Sequence, residues 1–366
     1  MKRDPASLAF TALAVVSLIA GAFPGRLQAG AAPADGPADR AGGRSSRGAQ
    51  PASGARAGHD AETPAEIPAR GWWAITKRVA ANVSGHRLLT EAGGITFFTL
   101  LALFPALAAL VSIYGLFADP ASIAKNLDAL SGVVPEGGMT IISDQVHSLA
   151  SKGGTALGFG VLIGLGTSLW SANQGTKALF DALNVVYDEE EKRGFVLRTA
   201  LTLAFTLGII LFVLLALAAV VAVPVALNMV GLGVVGDLLL RLLRWPLLLV
   251  ALAVLLACIY RFGPSRERAR WHWVTWGGGV AAVLWVIGSI GFSYYVSHFG
   301  TYNKTYGSLG AVVGFMTWLW LSATIVLIGA EVNAETEHQT ARDTTTGPET
   351  SPGGRGATKA DQVAPA

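Results

Sequence analysis

The stretch GFGVLIGLGTSLWSANQGTKALFDALNVVYDEEEKR, residues 158–193, decides the fold. Its first half is apolar and its second half turns polar without losing a helical rhythm. Gln174, Lys177, Asp181, Asn184 and Asp188 recur at spacings of three and four, so on a helix they share one face. The continuously apolar part runs only from Thr155 to Trp170, short of the roughly 20 residues that cross a hydrocarbon core. Two readings follow. Either Gln174, Lys177, Asp181 and Asn184 line a watery cavity between membrane helices, or the helix leaves the membrane near Trp170 and its polar stripe is simply wet. On the first reading Lys177 and Asp181, four apart, neutralise one another, because an unpaired charge in a bilayer is costly.

The rest of the chain argues for the membrane. Of 366 residues 52% are hydrophobic and 14% charged, against about 25% charged in soluble domains. Mean hydropathy is +0.49. Six further or overlapping runs are long and apolar enough to span: 92–117, 154–173, 199–223, 245–260, 273–296 and 308–330. The expected fold is therefore all-α, a polytopic transmembrane bundle of six core helices over 71–337. Residues 1–24 hold a weaker apolar segment that reads as a seventh span, an interfacial helix or an uncleaved signal-like leader. Residues 25–70 and 338–366 are poor in large apolar side chains and are expected to be disordered.

Lys and Arg set the orientation. Arg70, Lys77, Arg78 and Arg87, then Lys177, Lys192, Arg193 and Arg198, then Arg261, Arg266, Arg268 and Arg270 fall on one side. Lys125, Lys152, Arg241, Arg244 and Lys304 fall on the other. The richer side is expected to be cytoplasmic, with the C-terminus there. Residues 119–150 read as two amphipathic helices on the outer surface. Trp72 and Trp73 beside Lys77 and Arg78 read as an interfacial anchor.

Chemistry-bearing motifs are sparse. Pro105 inside the first run is expected to kink that helix. Gly160 with Gly164, and Gly310 with Gly314, form small-xxx-small pairs suited to close helix packing. Glu331 and Asn333 stand at the end of the last run, where Glu331 joins Asp181 and Lys177 as a candidate for ion coupling or headgroup contact. Histidines at 59, 86, 147, 272, 298 and 338 show no metal-ligand spacing, and the single cysteine, Cys258, permits neither an intrachain disulfide nor a cysteine-based zinc site. No phosphate loop and no nucleophile elbow is present. No catalytic residue, metal or cofactor is expected.

The segments AGGITFFTLLALFPALAALVSIYGLF, LWSANQGTKALFDALNVVYDEEEKRGFVLRTALTLAFTLG, YRFGPSRERARWHWVTWGGGVAAVLW and YGSLGAVVGFMTWLWLSATIVLIGAEVNAE together resemble the BrkB/YihY family of bacterial inner-membrane proteins, over about 72–337. That resemblance implies six helices with both ends in the cytoplasm. Members long carried the name ribonuclease BN, but the zinc hydrolase of that name has an HxHxDH cluster that this sequence lacks. Relatives are linked to serum resistance and, in one branch, to export of lipopolysaccharide precursors. The resemblance thus implies a transporter or flippase for an amphipathic or lipid-linked envelope component, with membrane lipids as partners and no nucleic acid. The alternative is a non-transporting scaffold or assembly factor that docks envelope proteins through residues 119–150 and 185–198.

Overall fold

The computed structural model describes residues 58–117, 154–217, 233–299 and 308–365. The N-terminal segment 1–24 and the amphipathic segment 119–150 lie outside them, as do the side chains of Pro105 and Gly160. Among the described residues there are seven long helices: α1 (Ala69–Gly85), α2 (Leu88–Phe117), α3 (Gly154–Val186), α4 (Phe195–Leu217), α5 (Gly233–Phe262), α6 (Trp271–Phe299) and α7 (Ser308–Gln339). A four-residue helix, α8 (Thr358–Asp361), follows. Among the described residues the only strand-like pairing is one antiparallel bridge, Ala269 with Thr345. The fold is an all-α membrane helical bundle.

Each expected span lies largely within one of α2 to α7. Among the described residues four stretches are apolar and long enough to cross a bilayer: Phe195–Ala216, Trp245–Phe262, Trp271–Val296 and Val312–Gln339. Branched aliphatic residues such as Leu211, Leu215, Leu247, Val250 and Ile290 face outward while charged groups are buried, the reverse of a soluble protein. Lipid tails are the solvent that makes this pattern favourable.

Helix α3 has 33 residues, about 50 Å at 1.5 Å per residue, against a core of about 30 Å. It therefore overshoots the membrane, and so does α7 with 32 residues. Helix α3 packs against α2 and α4, and α7 packs against α1, α2 and α6. Phe180, Leu183, Tyr187, Tyr260, Leu327, Ala330 and Ala334 fill the core at the overshooting end. We call this end the polar end.

Close approach of α6 and α7 depends on Gly277 and Gly329. A Cβ on Gly277 would lie 2.1 Å from the Gly329 carbonyl oxygen, and one on Gly329 would lie 2.6 Å from the Tyr260 hydroxyl. Asn333 locks the same crossing, accepting from the Gly277 N–H at 2.7 Å and donating to the Val274 carbonyl at 3.0 Å. Gly314 was expected to serve close helix packing too. A Cβ built there meets no described atom within 4 Å. Gly164 and Gly310 are half-buried.

Residues 338–365 and 58–70, from segments expected to be disordered, have defined positions in the structure. Residues 340–365 are placed across the polar end, with Thr344, Thr345, Arg355 and Lys359 buried. Arg355 donates to the carbonyls of Ala341, Arg342, Thr350 and Ala360. Residues 58–68 pack there too, through Ala61, Ile67 and the Ala341 N–H to His59 carbonyl bond. Polar bonds, with the small buried contacts of Ala61, Ile67, Ala357 and Ala360, hold these segments, and a composition poor in large apolar residues does not signal them.

Candidate functional site

The polar end is built where α1, α3, α5 and α7 stop. Between α1 and α2 the chain turns through Arg87 in the left-handed region at φ +51, and α3 ends on Asp188 at φ +54. Glycine adopts this conformation freely and Asp at little cost, so it is above all the Arg87 turn that is held by its surroundings. The first turn sends His86 inward and the second leaves the Asp188 carboxylate about half exposed beside it.

Two ladders of side chains meet here. Arg78, Asn82 and His86 stand four apart on α1, and Glu331, Glu335 and Gln339 stand four apart on α7. The helices run past each other in opposite directions, so the pairs match in reverse order. Arg78 donates to Glu335 and, at 2.6 Å, to Gln339. Asn82 donates to Glu335 at 3.0 Å and to Glu331 at 3.3 Å. His86 Nδ1 meets Glu331, and its Nε2 lies 3.4 Å from Asp188. Lys359 closes a ring, with Nζ 2.8 Å from Asp188 and 3.2 Å from Glu335.

Glu331, Glu335 and Glu337 are almost wholly buried. A buried charge is tolerated only with partners. Glu337 has the most complete one, a two-pronged pair with Arg266 at 2.7 and 2.8 Å, with that guanidinium 4.1 Å over the Tyr187 ring. Burial alone would lower the Arg266 pKa, but Glu337 outweighs it and the pKa is raised. The hydrogen bond to Glu331 raises the pKa of His86 against the opposing effect of burial. For Lys359 burial is outweighed by Asp188 and Glu335, and its pKa is also raised. The result is a connected row of titratable groups from the buried Glu331 carboxylate, through the His86 ring, to the exposed edge of Asp188.

The stripe on α3 is treated differently. Asp181 is exposed and pairs with Arg198 of α4 rather than with Lys177. Lys177 is half-buried and lies 5.9 Å from the Phe195 ring, and Gln174 is half-buried. Asn184 is buried, accepting from the Ser265 N–H at 2.7 Å and donating to Glu191 at 3.3 Å, so it ties the α3–α4 turn to the α5–α6 loop. Glu191, held by Arg193 despite the opposing cost of burial, has its pKa lowered to about 2. Of the five candidates only Glu331 joins the α1–α7 row. His86, Asn82, Glu335 and Lys359 are the residues that sequence reading missed. The four-residue recurrence 78, 82, 86 beside 331, 335, 339 was the available signal.

Among the described residues no group of three or more His, Cys, Asp and Glu is placed to share a metal ion. A shallow cavity of about 530 Å³ lies along α6, lined by Thr275, Trp276, Gly279, Val280, Val283 and Leu284. It is away from both stripes.

A family model described as Virulence factor BrkB matches residues 79–353. YfkH of Bacillus subtilis (strain 168), whose name describes it as ribonuclease-like, is 29% identical over 270 residues, 70% of this chain and 93% of the relative. UPF0761 membrane protein VV0203 of Vibrio vulnificus (strain YJ016) is 28% identical over 272 residues, covering 72% and 84%. UPF0761 membrane protein RSc1559 of Ralstonia nicotianae is 31% identical over 271 residues, covering 70% and 58%. No solved structure matches.

Proposed function

This chain belongs to the Virulence factor BrkB family of membrane proteins, and on that premise we propose that it is a transporter or flippase for an amphipathic envelope component. It sits in the bacterial inner membrane with the polar end and C-terminus cytoplasmic. It moves its substrate without catalysing a covalent reaction, and an ion gradient supplies the drive. The observation that carries the reading is the buried His86–Glu331 pair. An ionisable pair kept at the end of a membrane helix is by default functional, and His is the side chain suited to exchange a proton near neutral pH. In this scheme a proton passes between Glu331 and Asp188 through the two ring nitrogens of His86, and the change in charge alters how α1 and α7 hold together.

The outward exposure of Asp181 favours a second reading. A wet stripe on an overshooting helix suits a docking surface, so a scaffold that gathers envelope proteins is the competing function. The test uses the full chain in vesicles of phosphatidylcholine with a trace of fluorescent phosphatidylglycerol, whose inner-leaflet copies are shielded from an impermeant reductant. Transport predicts protein-dependent exposure of the shielded lipid that speeds up when a pH gradient is imposed. Equal rates with and without protein would leave the scaffold as the reading that stands.

A further inference from the structure

We infer that Arg261 and Arg268 form a binding site for a phosphate group at the membrane interface, beside Phe262 and Trp271. The site is independent of the transport reading and separate from the His86–Glu331 row. Arg261 lies one residue before the end of α5, and Trp271 is the first residue of α6. Both mark the ends of stretches apolar enough to span, Trp245–Phe262 and Trp271–Val296, so the site is at the depth of lipid headgroups.

Most other arginines of this end with buried or half-buried side chains have carboxylates, and Arg270 donates its Nε–H to the Thr345 carbonyl at 2.9 Å. Arg78 meets Glu335, Arg193 meets Glu191, Arg198 meets Asp181, Arg266 meets Glu337 and Arg355 approaches Asp343. Arg261 breaks that pattern. Its Nε and Nη1 are buried and have no hydrogen-bond partner among the described residues. Native structures seldom keep buried donors unsatisfied. The guanidinium instead lies 4.4 Å over the Trp271 ring and 5.6 Å from Phe262. Arg268 brings a second guanidinium to the same Phe262 ring at 5.3 Å. Glu267, adjacent to Arg268 in sequence, forms no ion pair with either among the described residues.

Two like charges converging on one ring repel unless an anion lies between them. Phosphate oxygens match the guanidinium fork, and each arginine has donors to give. The exposed part of Trp271 and the Phe262 ring would border the apolar portion of a lipid that carried the phosphate. The chemistry is shared by an anionic phospholipid and by free phosphate.

The full chain in a neutral detergent is titrated with short-chain phosphatidylglycerol, short-chain phosphatidylcholine and inorganic phosphate, reading the thermal midpoint. Phosphatidylglycerol is expected to raise the midpoint saturably, at a half-effect concentration at least about tenfold below that of phosphatidylcholine. Arg261→Gln and Arg268→Gln are each expected to remove that preference. Inorganic phosphate that competes with phosphatidylglycerol identifies the free anion as a ligand. No competition identifies the lipid headgroup. Equal responses to the two lipids, or a preference that survives both substitutions, overturns the site. If Arg261→Gln does not fold, the exposed Arg268→Gln decides alone. Because the readout is binding, loss of lipid movement with this preference intact would remove the transport reading and leave the site standing.

Discussion

Two helices carry polar residues at the same helical spacing, and their fates are opposite. On α3 the row has Asp181 at its middle, exposed and paired with Arg198 across to α4. On α7 the row Glu331, Glu335 and Gln339 is fully buried against α1. Spacing tells which residues share a face, but not what that face meets. What separates the two is the neighbour. Helix α1 offers a complementary row to α7, whereas Asp181 faces outward and Asn184 alone turns inward to the α5–α6 loop.

The comparison breaks first at its most buried pair. Arg266→Ala leaves Glu337 buried without its partner and should cost about 3–5 kcal/mol. Loss of folded protein and a lowered thermal midpoint in detergent would register it, and a variant with an unchanged midpoint would mean the pair contributes little. Next is the α6–α7 crossing. Gly277→Ala forces a Cβ against the Gly329 carbonyl and should destabilise by about 1–3 kcal/mol. Gly314→Ala should be neutral, and equal effects of the two would return the packing role to Gly314.

Asn184→Ala removes a buried hydrogen bond and leaves the Ser265 N–H unpaired, an expected loss of about 1–3 kcal/mol. Asp181→Asn, on the exposed side of the same helix, should change the midpoint by less than about 1 kcal/mol. A larger effect from Asp181 than from Asn184 would reverse the assignment of faces.

The smallest expected effect depends on pH. The folded pKa of His86 is raised above its ordinary value, so protonated His86 favours the folded state. That contribution is fully present below about pH 6.5, the ordinary His value, and is lost as pH rises through the raised folded value. The midpoint gap between wild type and His86→Gln should be widest in acid and close toward alkaline pH. A gap that widens with pH would mean that His86 is held neutral.

Much of the bundle was legible because long apolar runs leave few alternatives in a membrane. The six runs each correspond to a helix, although Leu88–Phe117 and Gly154–Val186 extend past the runs that signalled them. The site was less legible. Glu331 stood out as a carboxylate closing an apolar run, but its partners come from residues 78, 82, 86 and 359, far away in sequence. His86 carried no signal of its own, since a single histidine between two helical patterns gains meaning only when the α1–α2 turn aims it. The placement of the tail was not legible because Arg355 and Lys359 hold it through hydrogen bonds to carbonyls and carboxylates, which composition does not reveal.

The central claim is that the buried row on α7, and not the exposed stripe on α3, does the work. Asp181→Asn and Glu331→Gln, each purified as a folded, monodisperse protein, are compared in the pH-gradient lipid-exposure assay. The account predicts that Asp181→Asn moves lipid at close to the wild-type rate. It predicts that Glu331→Gln loses the acceleration by the gradient. Gradient-driven movement retained by Glu331→Gln and lost by Asp181→Asn would contradict it and move the site to α3.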